Sequence, residues 1–139
     1  MQSLKAVVID DDPGVLSFLH YFLKCRGYAV QTYEDPVNTP LHRSSACPCS
    51  MAGQCPDLII SDLNMPTMSG VDLLEPFIKK GCRCRHIAMI AGKGFTEAEL
   101  IRMAKFGTYY FTKPLDLDEF HSWLDRVERQ VAECLPALT

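Results

Sequence analysis

Short apolar runs and amphipathic segments alternate along the chain, which indicates that strands and helices alternate in the fold. Runs rich in β-branched or aromatic residues predict five strands, at residues 5–9, 28–33, 57–61, 86–91 and 108–112. Apolar residues at helical spacing predict helices at 14–27, 70–80, 96–106 and 115–134. Because the strands are almost entirely apolar, we expect a parallel sheet that is covered by helices on both faces.

Local signals mark the ends of several predicted helices. Asp12 is typical of a helix N-cap, and Gly27 of the glycine that ends a helix. Thr96 and Glu99 have the spacing of a capping box. Pro76 predicts strain or a bend in the helix at 70–80, since proline has no N–H to donate. The apolar face of the closing helix consists of Leu117, Phe120, Trp123, Leu124, Val127 and Val131.

The segment at about 35–56 interrupts this alternation. It contains four prolines and one glycine among many small polar residues, a composition that disfavours a regular helix. We expect an irregular, cysteine-rich segment inside one domain that spans residues 1–139.

Composition and charge exclude several classes of protein. Hydrophobic residues make up 47% of the chain and charged residues 22%, which is ordinary for a globular domain. The net charge of −3 gives no indication of nucleic acid or anionic membrane as a partner. No apolar run approaches the roughly 20 residues of a membrane span. The opening segment leads into three acids rather than a signal-peptide cleavage site, so we expect a cytoplasmic protein.

Carboxylates stand where two of the predicted strands end. Asp10 and Asp11 follow the first strand, and Asp62 follows the third. In a doubly wound sheet of order 2-1-3-4-5 these strands are neighbours, and their carboxyl ends border the crevice where ligands bind. Crowded carboxylates are costly unless a cation lies among them or one is protonated. Hard oxygen ligands in an open cleft predict a Mg²⁺ site.

A lysine is predicted at the same edge of the sheet. The fifth strand ends in "TKP", so Lys113 would place a positive charge near the carboxylates, and the Lys113–Pro114 bond is a candidate cis peptide. A carboxylate nucleophile, a divalent cation and a lysine together suit phosphoryl transfer, which depends on positioning and charge neutralisation.

Three segments resemble the signature segments of response-regulator receiver domains of two-component signalling. They are "VVIDDDP", "DLIISDLNMPTMSG" and "YYFTKP", and their order and spacing match over almost the whole chain. The resemblance implies a flavodoxin-like α/β fold and a stand-alone signalling receiver that catalyses only its own phosphorylation and dephosphorylation. It implies a histidine kinase or phosphotransfer protein upstream. An unidentified protein target would bind the face formed by the helix at 96–106, the fifth strand and the closing helix.

The same resemblance implies a role for each polar residue of the site. Asp62 would be the phosphoacceptor, and Lys113 would bind the phosphoryl oxygens. Asp11 and Asp62 would bind Mg²⁺ through their side chains and Asn64 through its backbone carbonyl, while Asp10 would act through water.

One residue departs from the family pattern. The fourth strand ends in Ala91, where receivers usually carry a Ser or Thr hydroxyl that binds the phosphoryl group. Tyr110 falls at the position of the family's aromatic switch residue. We expect phosphorylation to remain possible, because the N–H of Gly92 still offers a donor. We also expect weaker coupling to Tyr110, because a ligand shifts a population only through differential contacts.

Five cysteines precede the third and fourth strands: Cys47, Cys49, Cys55, Cys82 and Cys84. The third and fourth strands are expected to be adjacent, about 4.8 Å apart, so the two cysteine groups before them would lie close together. Four thiolates would suit structural Zn²⁺ or an Fe–S cluster. A disulfide or unligated thiols are the alternatives.

Two competing functions follow from the sequence. "VVIDDDP" also fits the opening motif of haloacid-dehalogenase-like phosphatases, with Asp10 as nucleophile and Asp12 as acid/base. That hypothesis lacks a later paired-acid motif and leaves Asp62 unexplained. The second alternative is a degenerate receiver that acts as a cysteine-dependent metal or redox sensing and docking module, which Ala91 and the cysteines favour.

Overall fold

The chain folds around a five-stranded parallel sheet of order β2-β1-β3-β4-β5. The computed structural model describes residues 4–39, 55–79, 81 and 84–134. The strands are β1 (Lys5–Ile9), β2 (Ala29–Tyr33), β3 (Leu58–Asp62), β4 (His86–Ala91) and β5 (Tyr109–Thr112). The predicted doubly wound sheet and its strand order are therefore confirmed.

Four α-helices in the described residues cover the two faces of the sheet. They are α1 (Pro13–Cys25), α2 (Gly70–Lys79), α3 (Glu97–Lys105) and α4 (Leu117–Cys134). α1 and α4 pack on one face through an apolar cluster that includes Leu19, Phe120 and Trp123. α2 and α3 pack on the other face through a cluster that includes Phe77 and Met103. α2 continues without interruption through Pro76, which lies inside the helix.

The predicted signals at the helix ends form as capping interactions. The Asp12 carboxylate accepts the N–H of Gly14 at 2.8 Å. Gly27 adopts a φ of 96°, and the N–H of Tyr28 donates to the carbonyl of Leu23 at 3.1 Å, which is the hydrogen bond of a Schellman motif. A capping box opens α3. Local sequence therefore fixes where these helices begin and end.

One residue of the predicted apolar face of α4 is exposed. Leu117 retains 45% of its accessible surface, whereas Phe120 is completely buried. Leu117 is the first residue of α4, and the N–H groups of Asp118 and Glu119 donate to the carboxylate of Asp116, which caps this end. The helix thus starts beyond the edge of the core, and the prediction that Leu117 packs inside was wrong.

Arginines tie the helices together in pairs. Arg26, just after α1, contacts Asp125 at 2.7 Å and Glu128 at 3.0 Å on α4. Arg102 on α3 contacts Glu75 on α2 at 2.9 Å. Each pair of helices that shares a face of the sheet is thereby cross-linked at its surface. In the part of the chain that the structure describes, no helix is both long and apolar enough to cross a membrane.

Gly70 leaves no room for a side chain where α2 begins. A Cβ at this position would lie 2.6 Å from the carbonyl oxygen of Asp62 and 2.7 Å from the sulfur of Met89. We expect Gly70→Ala to lower the free energy of unfolding by about 1–3 kcal/mol, because the backbone of β3 must move. Urea denaturation followed by circular dichroism measures the change.

Gly14→Ala provides the matched control for this substitution. Its Cβ would meet only the exposed Asp12 carboxylate, at 3.2 Å, and alanine favours the helix. We expect a change below about 1 kcal/mol. Equal effects of the two substitutions would contradict the steric explanation.

Candidate functional site

The carboxyl edge of the sheet gathers three carboxylates. β1 and β3 pair in parallel with Ile9 opposite Ser61, so the residues that follow, Asp10 and Asp62, lie side by side. Asp10, Asp11 and Asp62 each offer an oxygen, and these atoms lie within 4.8 Å of one another. Asp10 and Asp62 are buried, with 1% and 5% exposure, while Asp11 is exposed. The pairing of two strands that are distant in sequence thus creates a concentrated negative charge.

Lys113 places an ammonium group against this cluster. Its Nζ lies 3.5 Å from Asp10 Oδ2 and 3.6 Å from Asp62 Oδ1. Its backbone N–H donates to the carbonyl of Ala91 at 2.9 Å, which joins the end of β5 to the end of β4. The Lys113–Pro114 peptide bond is cis, as the sequence suggested. One positive charge therefore faces three negative ones.

Burial and mutual repulsion shift the protonation equilibria of the cluster. Desolvation, followed by the charge of Asp10, raises the pKa of Asp62 to about 6. Desolvation also raises the pKa of Asp10, against the stabilising N–H of Asp12 and the charge of Lys113. For Lys113, burial opposes the charged form, but the carboxylates of Asp10 and Asp62 outweigh it and raise its pKa. The cluster therefore holds more negative charge than Lys113 neutralises.

This donor set fits a hard divalent cation. The three carboxylates supply oxygen ligands, and the cluster opens to solvent at Asp11. Asn64 lies on a loop that closes on itself, because it forms a β-bridge with Ser69 and Gly70 N–H donates to the Leu63 carbonyl at 2.8 Å. That closure keeps the backbone of Asn64 next to the end of β3. Mg²⁺ prefers such oxygens with part of its hydration retained.

Apolar and aromatic residues border the cluster on the side of β4 and β5. Ala91 is completely buried, and its side chain carries no polar atom. Gly92 lies close to Lys113, since a Cβ on it would be 3.8 Å from the lysine Cδ. Tyr110 is half-exposed and meets Phe95 edge-on, with ring centroids 5.1 Å apart. The structure thus places the predicted carboxylates, Lys113 and Ala91 at this edge of the sheet.

Asp12 and Gly70 hold the site in place, although sequence analysis assigned them other roles or none. The N–H of Asp12 donates to Asp10 Oδ1 at 2.9 Å, while the Asp12 carboxylate caps α1. This use of Asp12 disfavours a phosphatase in which it acts as acid/base. The consecutive acids before Pro13 were the available signal for Asp12. Gly70 is recognisable only from its close approach to Asp62.

Only two of the five candidate cysteine ligands lie within the described residues. Cys55 and Cys84 pack against the cluster under α2 and α3, and Cys84 Sγ lies 3.6 Å from the carbonyl of His86. Cys47, Cys49 and Cys82 lie outside the described residues. The carboxylate cluster is the sole candidate metal group within the described ranges, and no observation on the described residues supports the Zn²⁺ or Fe–S hypothesis.

Comparison with known sequences gives a consistent family match. Residues 6–125 match the family model described as response regulator receiver domain. The transcriptional regulatory protein KdpE of Mycobacterium tuberculosis is 30% identical over 114 residues, which are 82% of this chain and 46% of that protein. The transcriptional regulatory protein GlrR of Escherichia coli is 30% identical over 129 residues, 91% of this chain and 26% of that protein. The chain thus spans less than half the length of these relatives.

Solved structures share the fold at lower sequence identity. A response regulator receiver domain protein from Clostridium thermocellum superposes with a TM-score of 0.75 at 21% identity, over 94% of this chain and 98% of that one. A CheY-like receiver domain protein from Methanospirillum hungatei gives 0.73 at 20% identity, over 95% and 99%.

The crowded carboxylates predict that the free energy of unfolding falls as pH rises from about 4 to about 6. Because the folded pKa of Asp62 is about 6 and the ordinary pKa of aspartate is 3.8, the folded state binds the extra proton between these values. The destabilisation caused by the ionised Asp62 carboxylate is therefore absent near pH 4 and complete above pH 6. We expect Asp62→Asn to raise the free energy of unfolding by about 1–3 kcal/mol at pH 7.5 in EDTA, with the gain vanishing near pH 4.

Urea denaturation at several pH values measures this gain. Asp118→Asn removes an exposed carboxylate outside the cluster and serves as the control, for which we expect no such gain. Mg²⁺ should reduce the difference between wild type and Asp62→Asn by neutralising the cluster. A stability gain that is independent of pH would refute the assignment to charge crowding.

Proposed function

Because the chain belongs to the response regulator receiver domain family, we propose that it accepts a phosphoryl group on Asp62 from a histidine kinase or a phosphotransfer protein. The observation that carries the proposal is the contact of buried Asp62 with Lys113, at 3.6 Å, inside a group of oxygens suited to Mg²⁺. The family consists of signalling modules rather than ordinary enzymes. The chain would therefore catalyse only its own phosphorylation and dephosphorylation.

The chemistry asks three things of these residues. The Asp62 carboxylate attacks phosphorus while the bond from phosphorus to the donor nitrogen breaks, so it must be ionised; with a pKa of about 6, it is mostly ionised at neutral pH. Lys113 binds the transferred phosphoryl oxygens. Asp10, Asp11, Asp62 and the carbonyl of Asn64 would hold Mg²⁺, which supplies charge neutralisation when bound.

Signalling would follow from the new charge on Asp62. Ala91 supplies no hydroxyl to the phosphoryl group, which leaves the N–H of Gly92 as the donor at the end of β4. Fewer contacts then distinguish the phosphorylated state from the unphosphorylated one, so the population shift is small. Half-exposed Tyr110, packed on Phe95, would serve as an aromatic reporter of such a shift.

The partners of this function are proteins. KdpE and GlrR, by their names, regulate transcription. This chain would receive its phosphoryl group in the cytoplasm and pass the signal to a protein target through the surface of α3, β5 and α4.

Phosphorylation by a small donor tests the assignment of Asp62. With acetyl phosphate and Mg²⁺, we expect intact-mass spectrometry to show one added phosphoryl group, because the small donor needs no docking partner. Asp62→Asn should abolish the adduct, Lys113→Ala should slow its formation, and Asp118→Asn should leave it unchanged. An adduct that survives Asp62→Asn would reject the phosphoacceptor. Absence of an adduct on wild type would favour the degenerate receiver.

Restoring a hydroxyl at the end of β4 tests the weak switch. We expect Ala91→Ser to enlarge the change in hydrogen exchange around Tyr110 when beryllofluoride and Mg²⁺ are added, because serine provides the missing contact. Ala88→Ser adds a hydroxyl to the same strand at an equally buried position on its other face and should have no such effect. Identical responses of Ala91→Ser and wild type would contradict this account.

A further inference from the structure

The loop between β3 and α2 carries Asn64, whose carbonyl is the uncharged ligand of the proposed Mg²⁺ site. Asn64 forms a β-bridge with Ser69, which closes the base of the loop. Met65, the next residue, is buried in the apolar cluster under α2 and α3. Thr67 lies at the tip of the loop and is exposed. The loop's own contacts therefore hold its base, and a separate contact is needed to hold its tip.

A carboxylate that follows β2 makes this contact. The hydroxyl of Thr67 donates to Asp35 Oδ1 at 3.1 Å. The same oxygen accepts the N–H of Val37 at 3.0 Å, which caps a short 3₁₀ helix at Pro36–Asn38. The Asp35 side chain is therefore oriented by its own backbone as well as by Thr67, and it joins two segments that lie 32 positions apart in the chain.

The end of β2 also contacts the other side of the site. The N–H of Asp10 donates to the carbonyl of Tyr33 at 3.1 Å. Tyr33 packs against the same apolar cluster as Met65. Residues 33–35 therefore contact both the backbone of a buried carboxylate and the loop that follows Asp62.

We propose that Thr67 and Asp35 are positioning residues, whose hydrogen bond keeps the carbonyl of Asn64 beside the carboxylate cluster for Mg²⁺ binding. The inference rests on the proposed function, because it concerns the ligands of that metal site. Mg²⁺ demands near-octahedral geometry, so a small displacement of one oxygen ligand weakens its binding. A loop that is already held in the bound position also loses less conformational entropy when the metal binds.

The charge of Asp35 offers a competing explanation for any effect on Mg²⁺. Its carboxylate would attract a cation to this edge of the sheet even without a contact to the loop. The two explanations differ in their dependence on Thr67, which carries no charge. Removal of the Thr67 hydroxyl breaks the hydrogen bond and leaves the net charge around the site unchanged.

Calorimetric titration of the full chain with MgCl₂, near pH 7.5 and at about 0.15 M NaCl, tests the proposal. Valine matches threonine in shape but has no hydroxyl, so we expect Thr67→Val to raise the Kd for Mg²⁺ about three- to tenfold. Thr67→Ser retains the donor and should keep the Kd within about twofold of wild type. Asp35→Asn removes the charge but keeps an acceptor, so it should weaken Mg²⁺ binding less than Thr67→Val does.

Amide hydrogen exchange in EDTA, measured by NMR, gives a second readout that does not require the metal. We expect faster exchange in Thr67→Val at the N–H of Gly70, which donates to the carbonyl of Leu63 across the base of the loop. The N–H of Tyr28, which donates to Leu23 at the far end of α1, should exchange at the wild-type rate.

Thr32→Val is the matched control. Thr32 is an exposed threonine of β2 outside the loop, and the substitution removes the same hydroxyl from the surface. It should change neither the Kd for Mg²⁺ nor the exchange at Gly70. Circular dichroism and urea denaturation confirm that each variant is folded.

The outcomes separate this inference from the proposed function. If wild type binds Mg²⁺ and Thr67→Val binds it equally well, the positioning role is rejected and the proposed function stands. Equal weakening in Thr32→Val, or failure of Thr67→Ser to retain the wild-type Kd, would also overturn the inference. Stronger weakening in Asp35→Asn than in Thr67→Val would assign the effect to charge. Absence of Mg²⁺ binding to wild type would reject the metal site of the proposed function, and this inference with it.

Discussion

Repulsion among carboxylates at one edge of the sheet is the constraint on which this structure depends. Two buried aspartates and an exposed one share a small volume with a single ammonium group. Water does not screen buried charges well, so the arrangement persists only because other parts of the fold impose it. Pairing of β1 with β3 brings Asp10 and Asp62 together. The backbone hydrogen bond from the Lys113 N–H to the Ala91 carbonyl places the lysine, and with it the positive charge, next to them. In the proposed function, a cation or an arriving phosphoryl group would act on a site that is already under electrostatic strain.

The packing around this edge holds the backbone of the site in place. Gly70 lets α2 begin against the backbone of Asp62, and the loop between them is closed by its own hydrogen bonds. The apolar clusters on the two faces and the ion pairs of Arg26 and Arg102 hold the helices in place. Local charge at the edge is therefore balanced against burial elsewhere, which is how functional sites commonly retain unfavourable arrangements.

β5 carries aromatic side chains on both of its faces. Its side chains alternate, so Tyr109 stacks on Trp123 of α4, while Tyr110 lies on the other face beside Phe95. Lys113 follows the end of the same strand. The two faces of one short strand therefore make aromatic contacts with different neighbours.

The sequence by itself determined the helices and strands, because apolar periodicity and helix caps are local signals. It also predicted the strand order and the meeting of Asp10, Asp62 and Lys113, because a doubly wound parallel sheet brings the carboxyl ends of its strands to one edge. It failed at Leu117, where helical periodicity does not reveal how far the core extends. Only the tertiary structure decided that Gly70 has no room for a side chain. It also decided that Asp125 forms an ion pair with Arg26 and that the guanidinium of Arg126 lies over the ring of Tyr109. The physical reason is that close approach and charge pairing are properties of neighbours in space, and these neighbours come from different elements of the chain.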